Sequence, residues 1–212
     1  GRGISPADGM MIPKYVNARC NGDGRYQPVL WHRMIDGVFI PDGQNGTVLL
    51  DSAGNVFDGF PETSGAAWGS IWSRAAADEP DSDAGSWVHQ ITDIERFAPD
   101  GRGLLAFCPN VGLTFDLKAV RKKYLETRPT RFRATAGVAS STRLPPMADG
   151  RVDLWIFVDG HLKYNWIGLA RKDGPVDLKI ELAPSDRFLT LVSTNGGDGI
   201  SSDWLVLGDP VL

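Results

Sequence analysis

The clearest pattern of apolar and polar positions along this chain is a strict alternation near residue 180. Apolar and charged side chains alternate there in the order Val176, Asp177, Leu178, Lys179, Ile180, Glu181 and Leu182. Because successive side chains of a strand point to opposite faces, the alternation predicts a half-buried strand. We expect Leu178 and Ile180 to be buried and the three charged side chains to face water.

Three further segments predict strands in the second half of the chain. Residues 132–138 alternate, residues 188–193 are mostly apolar, and residues 152–158 are almost continuously apolar, which is typical of a strand buried on both faces. Asp159-Gly160 is a two-residue hairpin signal, after which residues 161–166 return. The predicted core is Phe132, Ala134, Ala136, Val152, Leu154, Ile156, Val158, Val176, Leu178, Ile180, Leu182, Leu189 and Leu191.

Helical patterns are scarce. Asp116 is a plausible N-cap for a short helix that places Leu117, Val120 and Tyr124 on one face. Many short strands with one or two short helices predict a mainly β protein, an antiparallel β-sandwich of jelly-roll type.

The first half of the chain is punctuated by Asn-Gly, Asp-Gly and Pro turn signals between short candidate strands, such as residues 29–32, 38–40, 47–50 and 55–57. Trp68 and Trp72 lie four residues apart, in one helical turn or an irregular aromatic loop. Residues 75–85 predict a polar loop. We treat residues 1–212 as a single domain, in which residues 1–104 add strands and loops to a sandwich formed by residues 105–212.

Composition and charge exclude several classes of function. The formal net charge is −4 and there is no basic block, which argues against nucleic acid as a partner. The sequence contains no run of 18 apolar residues, so it predicts no membrane-spanning helix. The two cysteines, Cys20 and Cys108, are compatible with one disulfide or with two small buried side chains, and their spacing does not decide between these.

Catalytic motifs are missing from the sequence. The histidines His32, His89 and His161 are far apart, and there is no H-x-x-x-H pair, G-x-S-x-G elbow or P-loop. Asp and Glu are abundant, but the sequence selects no pair at the separation that a glycosidase needs. We therefore assign no catalytic residue and expect the chain not to be an enzyme.

Aromatic side chains are the better candidates for chemistry. A flat aromatic face can cover the C–H patch of a sugar ring while polar neighbours bond its hydroxyl groups. Trp72, His161 and Trp166 lie in or beside predicted turns and are the candidate ligand-binding residues. Trp31 and Trp155 lie in predicted strands and look like core.

The C-terminal segment carries a resemblance to a known family. The strand Phe188-Leu189-Thr190-Leu191-Val192 runs into the loop Asn195-Gly196-Gly197-Asp198-Gly199, which Ser202-Asp203-Trp204 follows. Together with residues 112–117, 131–137 and 152–160, this segment resembles the NPCBM family of carbohydrate-binding modules over roughly residues 105–212. The resemblance implies a galactose-binding-like β-sandwich that recognises galactose-type or related glycans. It also implies a secreted, periplasmic or cell-surface protein in which this chain is linked covalently to a catalytic or other domain.

Asp198 and Asp203 have two interpretations. With loop carbonyls they could hold a structural calcium ion, since hard cations prefer oxygen ligands. Alternatively, Asp198 forms an Asx-type turn and Asp203 bonds to the backbone.

The leading function is non-catalytic carbohydrate binding. The alternatives are a glycoside hydrolase that uses an Asp/Glu pair, and a structural or cell-surface interaction domain without sugar binding.

Overall fold

The computed structural model describes residues 3–13, 16, 18–73, 91, 103–139 and 150–212. These residues form one α-helix, α1 (Leu117–Lys123), and two 3₁₀ turns, Gly43–Asn45 and Arg171–Asp173. The strands are β1 (Gly3–Ile4), β2 (Met11–Ile12), β3 (Arg19–Asn21), β4 (Gln27–Pro28), β5 (Ile35–Phe39), β6 (Val48–Leu49), β7 (Val56–Phe57), β8 (Ala66–Trp68), β9 (Trp72–Ser73), β10 (Leu104–Phe107), β11 (Val111–Asp116), β12 (Arg131–Val138), β13 (Arg151–Val158), β14 (His161–Ala170), β15 (Val176–Glu181), β16 (Phe188–Thr194) and β17 (Leu205–Val211).

Two antiparallel sheets form the body of the protein. One has five strands in the order β15-β12-β17-β10-β9, and the other has six in the order β14-β13-β16-β11-β5-β4. Their facing apolar side chains form one buried cluster between the sheets. The prediction of a mainly β antiparallel sandwich is confirmed. Strands β4, β5 and β9 come from the first half of the chain and pair within these same sheets.

The predicted core lies between the two sheets. Every predicted core residue is buried except Val176, which is half-buried where the edge strand β15 begins. Ala134 pairs with Leu178 and Phe132 with Ile180 across the β12–β15 ladder. Asp177, Lys179 and Glu181 are exposed, so the predicted register of this strand is confirmed.

Truncating Leu178 tests the packing between the sheets. Leu178 is 3% exposed and belongs to the inter-sheet cluster. We expect Leu178→Ala to lower the free energy of unfolding by about 2–5 kcal/mol, because it removes apolar contacts and leaves a cavity. Urea denaturation measures the change. The exposed neighbour Lys179 is the control, and Lys179→Ala should change stability by about 0.5 kcal/mol or less. A loss below about 1 kcal/mol for Leu178→Ala would contradict the packed core.

The outer faces of both sheets are covered as well. On the six-stranded sheet, an outer aromatic cluster comprises Phe39, Val48, Leu50, Phe60, Trp155, Phe157 and Val192. On the five-stranded sheet, Trp72, Leu104, Ala106, Trp204 and Val206 belong to a second outer cluster. Strand β13 is thus buried on both faces, as its continuous apolar run predicts.

Two expectations about Trp72 and its surroundings are wrong. Trp68 and Trp72 lie neither in a helical turn nor in an irregular loop but in the strands β8 and β9, between which Gly69 has a positive φ of 74°. Trp72 is 2% exposed. Gly3 lies against its ring, so that a Cβ atom at residue 3 would fall 2.2 Å from Trp72 Cε3. The indole is therefore a packing element that a ligand cannot stack against.

Helix α1 begins as predicted. Asp116 accepts a hydrogen bond from the Ala119 N–H at 2.9 Å, and Leu117 and Val120 are buried. Tyr124 was expected on the buried face, but it is 48% exposed. The helix ends at Lys123, so Tyr124 is the C-cap residue and its side chain leaves the helical face.

The cysteines are free thiols, so the disulfide alternative is wrong. Cys20 Sγ lies 3.6 Å from the Ala67 carbonyl oxygen, and Cys108 Sγ lies 3.4 Å from that of Ile200. Burial raises the pKa of both thiols.

The predicted polar loop at residues 75–85 lies outside the described residues. Within the part of the chain that the structure describes, no helix has the length and apolar character needed to cross a membrane.

Candidate functional site

A surface cleft lies where the β4–β5 connection meets helix α1. Pro28 ends β4, and the side chain of the next residue, Val29, is buried. The Val29 N–H donates a hydrogen bond to the Asp36 carbonyl at 3.0 Å and anchors the connection. A second backbone bond, from Ile35 N–H to the His32 carbonyl at 3.2 Å, closes the loop. These bonds fix residues 30–34 at one end of the six-stranded sheet.

The cleft has two walls. Residues 31–34 form one wall, and Ala119, Lys122 and Lys123 of α1 form the other, around a volume of about 690 Å³. The Asp116 N–H donates to the Met34 carbonyl at 3.0 Å and joins the start of the helix to the loop. The described residues that line the cleft include three cations and no carboxylate.

Trp31 is held in a fixed orientation on its wall. Its Nε1–H donates to the Gly9 carbonyl at 2.9 Å, and its ring meets the His32 imidazole edge-on, with centroids 5.7 Å apart. The indole is half-buried, because it packs in part against the inter-sheet cluster, and the rest of it stays accessible. A Trp whose polar atom is already satisfied offers the rest of its surface for apolar contact.

His32 lies between the cleft and a second, apolar cavity. This cavity has a volume of about 530 Å³ between the sheets, and Trp31 and His32 line both spaces. His32 Nδ1 is buried and has no hydrogen-bond partner among the described residues. Burial lowers the pKa of the imidazole below its usual 6.5. The neutral ring has one donor and one acceptor nitrogen, which suits it to bond a hydroxyl group.

The lowered pKa of His32 predicts a pH effect on stability. Between the folded-state pKa and 6.5, the unfolded chain binds a proton that the folded chain does not, so stability rises with pH through this window. We expect the melting temperature to fall less between pH 8 and pH 5 in His32→Gln than in the unmodified protein. Thermal unfolding at the two pH values measures this. Equal falls in both proteins would show that His32 titrates as in the unfolded chain.

Comparison with known proteins bears on the second half of the chain. The family model of the NPCBM/NEW2 domain matches residues 111–212. The C-terminal half of this chain is thus similar to the NPCBM/NEW2 domain. The match includes one wall of the cleft, formed by α1, whereas Trp31 and His32 precede it.

Similar solved structures are distant. A CBM51 from Clostridium perfringens GH95, in complex with methyl-galactose, is 12% identical with a TM-score of 0.44, over 93% of this chain and 98% of that one. CBM51-2 and INT domains from Clostridium perfringens ZmpB, in complex with GlcNAc, are 14% identical with a TM-score of 0.46, over 99% of this chain and 42% of that one.

A third structure contains the M60 catalytic domain of Clostridium perfringens ZmpB with CBM51-1 and CBM51-2. It is 17% identical with a TM-score of 0.49, over 83% of this chain and 19% of that one. The chain thus spans less than half the length of the two ZmpB chains. No curated protein sequence matches it. These TM-scores are too low for positions in the neighbours to be transferred to this chain.

The residues that the sequence singled out for ligand binding lie apart. His161 begins β14 at the same end of the sheet as the cleft, but β13, β16 and β11 separate β14 from β5, which is about 19 Å at the usual strand spacing. Trp166 is half-buried within β14, opposite Leu154, and packs against the inter-sheet core. Trp72 is buried in the other sheet. Ligand contact by His161 or Trp166 stays a prediction.

The Gly/Asp loop, which lies within the NPCBM/NEW2 match, is built as expected. Gly196, Gly197 and Gly199 all have positive φ, and Trp204 is buried in the cluster against which Ile200 packs. Asp203 is 2% exposed, and its Oδ1 accepts the Arg151 N–H at 2.7 Å. This backbone bond supports the structural interpretation of Asp203.

Calcium at Asp198 and Asp203 stays a prediction. Asp198 is exposed, whereas Asp203 is buried and its Oδ1 is engaged by the backbone. Among the described residues, no group of three or more His, Cys, Asp or Glu side chains is placed to hold a metal ion. This donor set fits a hard cation poorly, because calcium takes six to eight oxygen ligands.

Sequence reasoning missed the cleft. Trp31 is half-buried and packs against the inter-sheet cluster, as its interpretation as core predicts. However, residues 29–32 form a connection rather than the predicted strand, and Leu30 within it is 93% exposed. The available signal was the group Trp31-His32-Arg33 directly after Pro28, a residue that often ends a strand. An aromatic, an imidazole and a cation in succession are typical of a polar surface rather than of a sandwich core.

Proposed function

We propose that this chain is a non-catalytic carbohydrate-binding module and that the cleft between Trp31–Met34 and helix α1 is its ligand site. One observation carries the assignment of the site. A half-buried Trp31 stands beside a His32 nitrogen that has no partner among the described residues, at a loop end of a sandwich whose C-terminal half matches the NPCBM/NEW2 domain. Ligand sites are often built from such loops on a rigid scaffold.

The chemistry of the cleft suits a sugar. The accessible part of the indole can cover the C–H patch of a pyranose ring, and the bond from Nε1 to the Gly9 carbonyl fixes the ring before a ligand arrives. His32 can bond a hydroxyl group at the edge of that ring. Met34 and Ala119 supply apolar lining, as is usual in small-molecule sites.

The absence of a carboxylate pair in the described lining of the cleft supports binding rather than hydrolysis. Both mechanisms of glycoside hydrolysis place two Asp or Glu side chains on either side of the scissile bond. The proposal therefore includes no catalytic activity. It also includes export to the periplasm or cell surface and attachment to a larger protein, as the family resemblance implies.

The experiment compares two Trp–His pairs of the same chain. A glycan array first identifies ligands, including neutral galactosides, and titration calorimetry then measures affinity for Trp31→Ala and His32→Gln. We expect Trp31→Ala to weaken binding by about tenfold or more, since the stacking surface is lost. Trp166→Ala and His161→Gln are the matched controls at the other edge of the sheet and should retain binding.

The outcomes separate the site from the function. Loss of binding in Trp166→Ala or His161→Gln, with Trp31→Ala unaffected, would move the site to β14. An array on which the folded protein binds no glycan would overturn the proposed function and favour a structural interaction domain. Turnover of an oligosaccharide that is lost on mutating one Asp/Glu pair would favour a hydrolase.

A further inference from the structure

We infer that the ligand of the Trp31–His32 cleft is an acidic glycan, one that bears a carboxylate or a sulfate ester. This inference rests on the proposed function and adds the chemical class of the sugar. It starts from the charged side chains around the cleft. Arg33 projects from the loop wall and Lys122 and Lys123 from the helix wall, and all three are exposed.

No carboxylate of the described residues pairs with these cations. Within the described part of the chain, none of the three forms an ion pair with an Asp or Glu side chain. Two acidic groups near these segments in the sequence are engaged elsewhere. Asp116 caps α1 through the Ala119 N–H, and Asp36 accepts bonds from Tyr26 and Ser52. The chain as a whole has a formal charge of −4, so the cleft is a positive site on an acidic protein.

The helix dipole accounts for only part of the positive charge around the cleft. Lysines in the last turn of a helix are favourable near its negative end, which accounts for Lys122 and Lys123 without any ligand. Arg33 lies on the opposite wall and belongs to no helix. Two elements that are distant in the sequence therefore bring cations to one cleft.

The pattern of donors and acceptors also favours an acidic sugar. Lys and Arg side chains donate hydrogen bonds and accept none. The described lining offers no Asp, Glu, Asn or Gln side chain to accept the proton of a sugar hydroxyl, and His32 supplies the one side-chain acceptor nitrogen. A carboxylate or sulfate, which only accepts, complements this set. Trp31 favours an anionic sugar over a free anion, because only the sugar has a ring that the indole can cover.

The experiment uses matched neutral and acidic probes. Calorimetry on the full chain compares galactose with galacturonic acid and galactose 6-sulfate, and lactose with sialyllactose. We expect each acidic probe to bind at least about tenfold more tightly than its neutral partner. The preference should shrink between about 50 and 300 mM salt, because exposed charges are screened.

Variants of the cleft residues test whether these residues cause the preference for acidic probes. The double variant Lys122→Ala/Lys123→Ala and the single variant Arg33→Ala should each weaken binding of the acidic probes by about fivefold or more and leave the neutral probes unchanged. The control is Lys163→Ala/Lys179→Ala, which removes two exposed lysines of β14 and β15. It should leave every affinity unchanged.

The possible failures are distinct. Neutral and acidic probes that bind equally, with binding still lost in Trp31→Ala, would overturn the acidic class and leave the proposed function intact. Equal losses in the control double variant would show unspecific attraction and overturn the inference. Inorganic sulfate that binds as tightly as the sulfated sugar, with Trp31→Ala unaffected, would reduce the cleft to an anion site. No binding to any glycan would overturn the proposed function itself.

Discussion

Replacing Phe157 by alanine is expected to lower the free energy of unfolding by about 3–5 kcal/mol, the usual range for a buried Phe. Phe157 is fully buried in β13 and belongs to the outer aromatic cluster. Its ring centroid lies 4.9 Å from that of Phe57 and 5.8 Å from that of Phe60, both in edge-to-face arrangements. The substitution removes the large side chain and these edge-to-face contacts.

Denaturant unfolding measures the loss, and limited proteolysis shows where the structure loosens. Phe57 belongs to the β6–β7 hairpin, so loss of the Phe157 ring should increase cleavage between residues 41 and 62. Phe157→Leu is the matched control, because it keeps an apolar side chain and should cost clearly less. A loss below about 1 kcal/mol, or unchanged cleavage of that segment, would mean that the cluster does not hold the first half of the chain.

This cluster explains why residues 1–104 were hard to interpret from the sequence. Val48, Leu50 and Phe60 are apolar positions in short segments between turns, without a long alternation of their own. Their burial depends on β13, about 100 residues later in the chain, which offers Trp155 and Phe157 on its outer face. Local patterns do not show such long-range contacts. The division into residues 1–104 and 105–212 remains a prediction, although β4, β5 and β9 pair within the two main sheets.

The second half was predictable because its patterns are long. Residues 176–182 alternate through a whole edge strand, so the exposed and buried faces could be assigned from the sequence alone, and the structure confirms them. The hairpin at Asp159-Gly160 was equally clear, and both residues have positive φ values of 47° and 75°. Strong local signals of this kind specify β structure without knowledge of the partner strand.

The candidate site was less predictable, since exposure is decided by tertiary packing. Trp31 and Trp72 both lie in short segments of the first half, and their sequences do not reveal which is covered. In the structure, Gly3 and the second outer cluster cover Trp72, whereas Trp31 remains accessible beside α1. The cleft exists only because β5 pairs with β11 and brings Met34 to the start of the helix.

A polar residue inside the apolar run of β13 leads to the last expected result. Asp153 is 3% exposed. Its Oδ1 accepts the Gly168 N–H at 2.7 Å, and its Oδ2 accepts the Thr194 hydroxyl at 2.7 Å. Thr194 Oγ1 in turn accepts the Trp155 Nε1–H at 3.0 Å. The carboxylate therefore joins three strands, β13, β14 and β16.

The pairing of β13 with β14 explains why a carboxylate is needed there. The register shifts between Val152, which pairs with Leu169, and Leu154, which pairs with Trp166. This bulge leaves two residues of β14, Ile167 and Gly168, opposite Asp153. The carboxylate then supplies the acceptor for the Gly168 N–H, and a buried donor without an acceptor would be costly.

We expect Asp153→Ala to lower the free energy of unfolding by about 2–5 kcal/mol, because the Gly168 N–H and the Thr194 hydroxyl both lose a buried acceptor. Asp153→Asn should cost less, since its amide oxygen can still accept the Gly168 N–H. Asp177→Ala, at an exposed position on β15, is the control and should change stability by less than about 1 kcal/mol. Urea denaturation of the three variants gives the comparison. If Asp153→Ala and Asp177→Ala cost the same, the three-strand network contributes nothing beyond a surface carboxylate, and the bulge in β14 must be held by the backbone ladder alone.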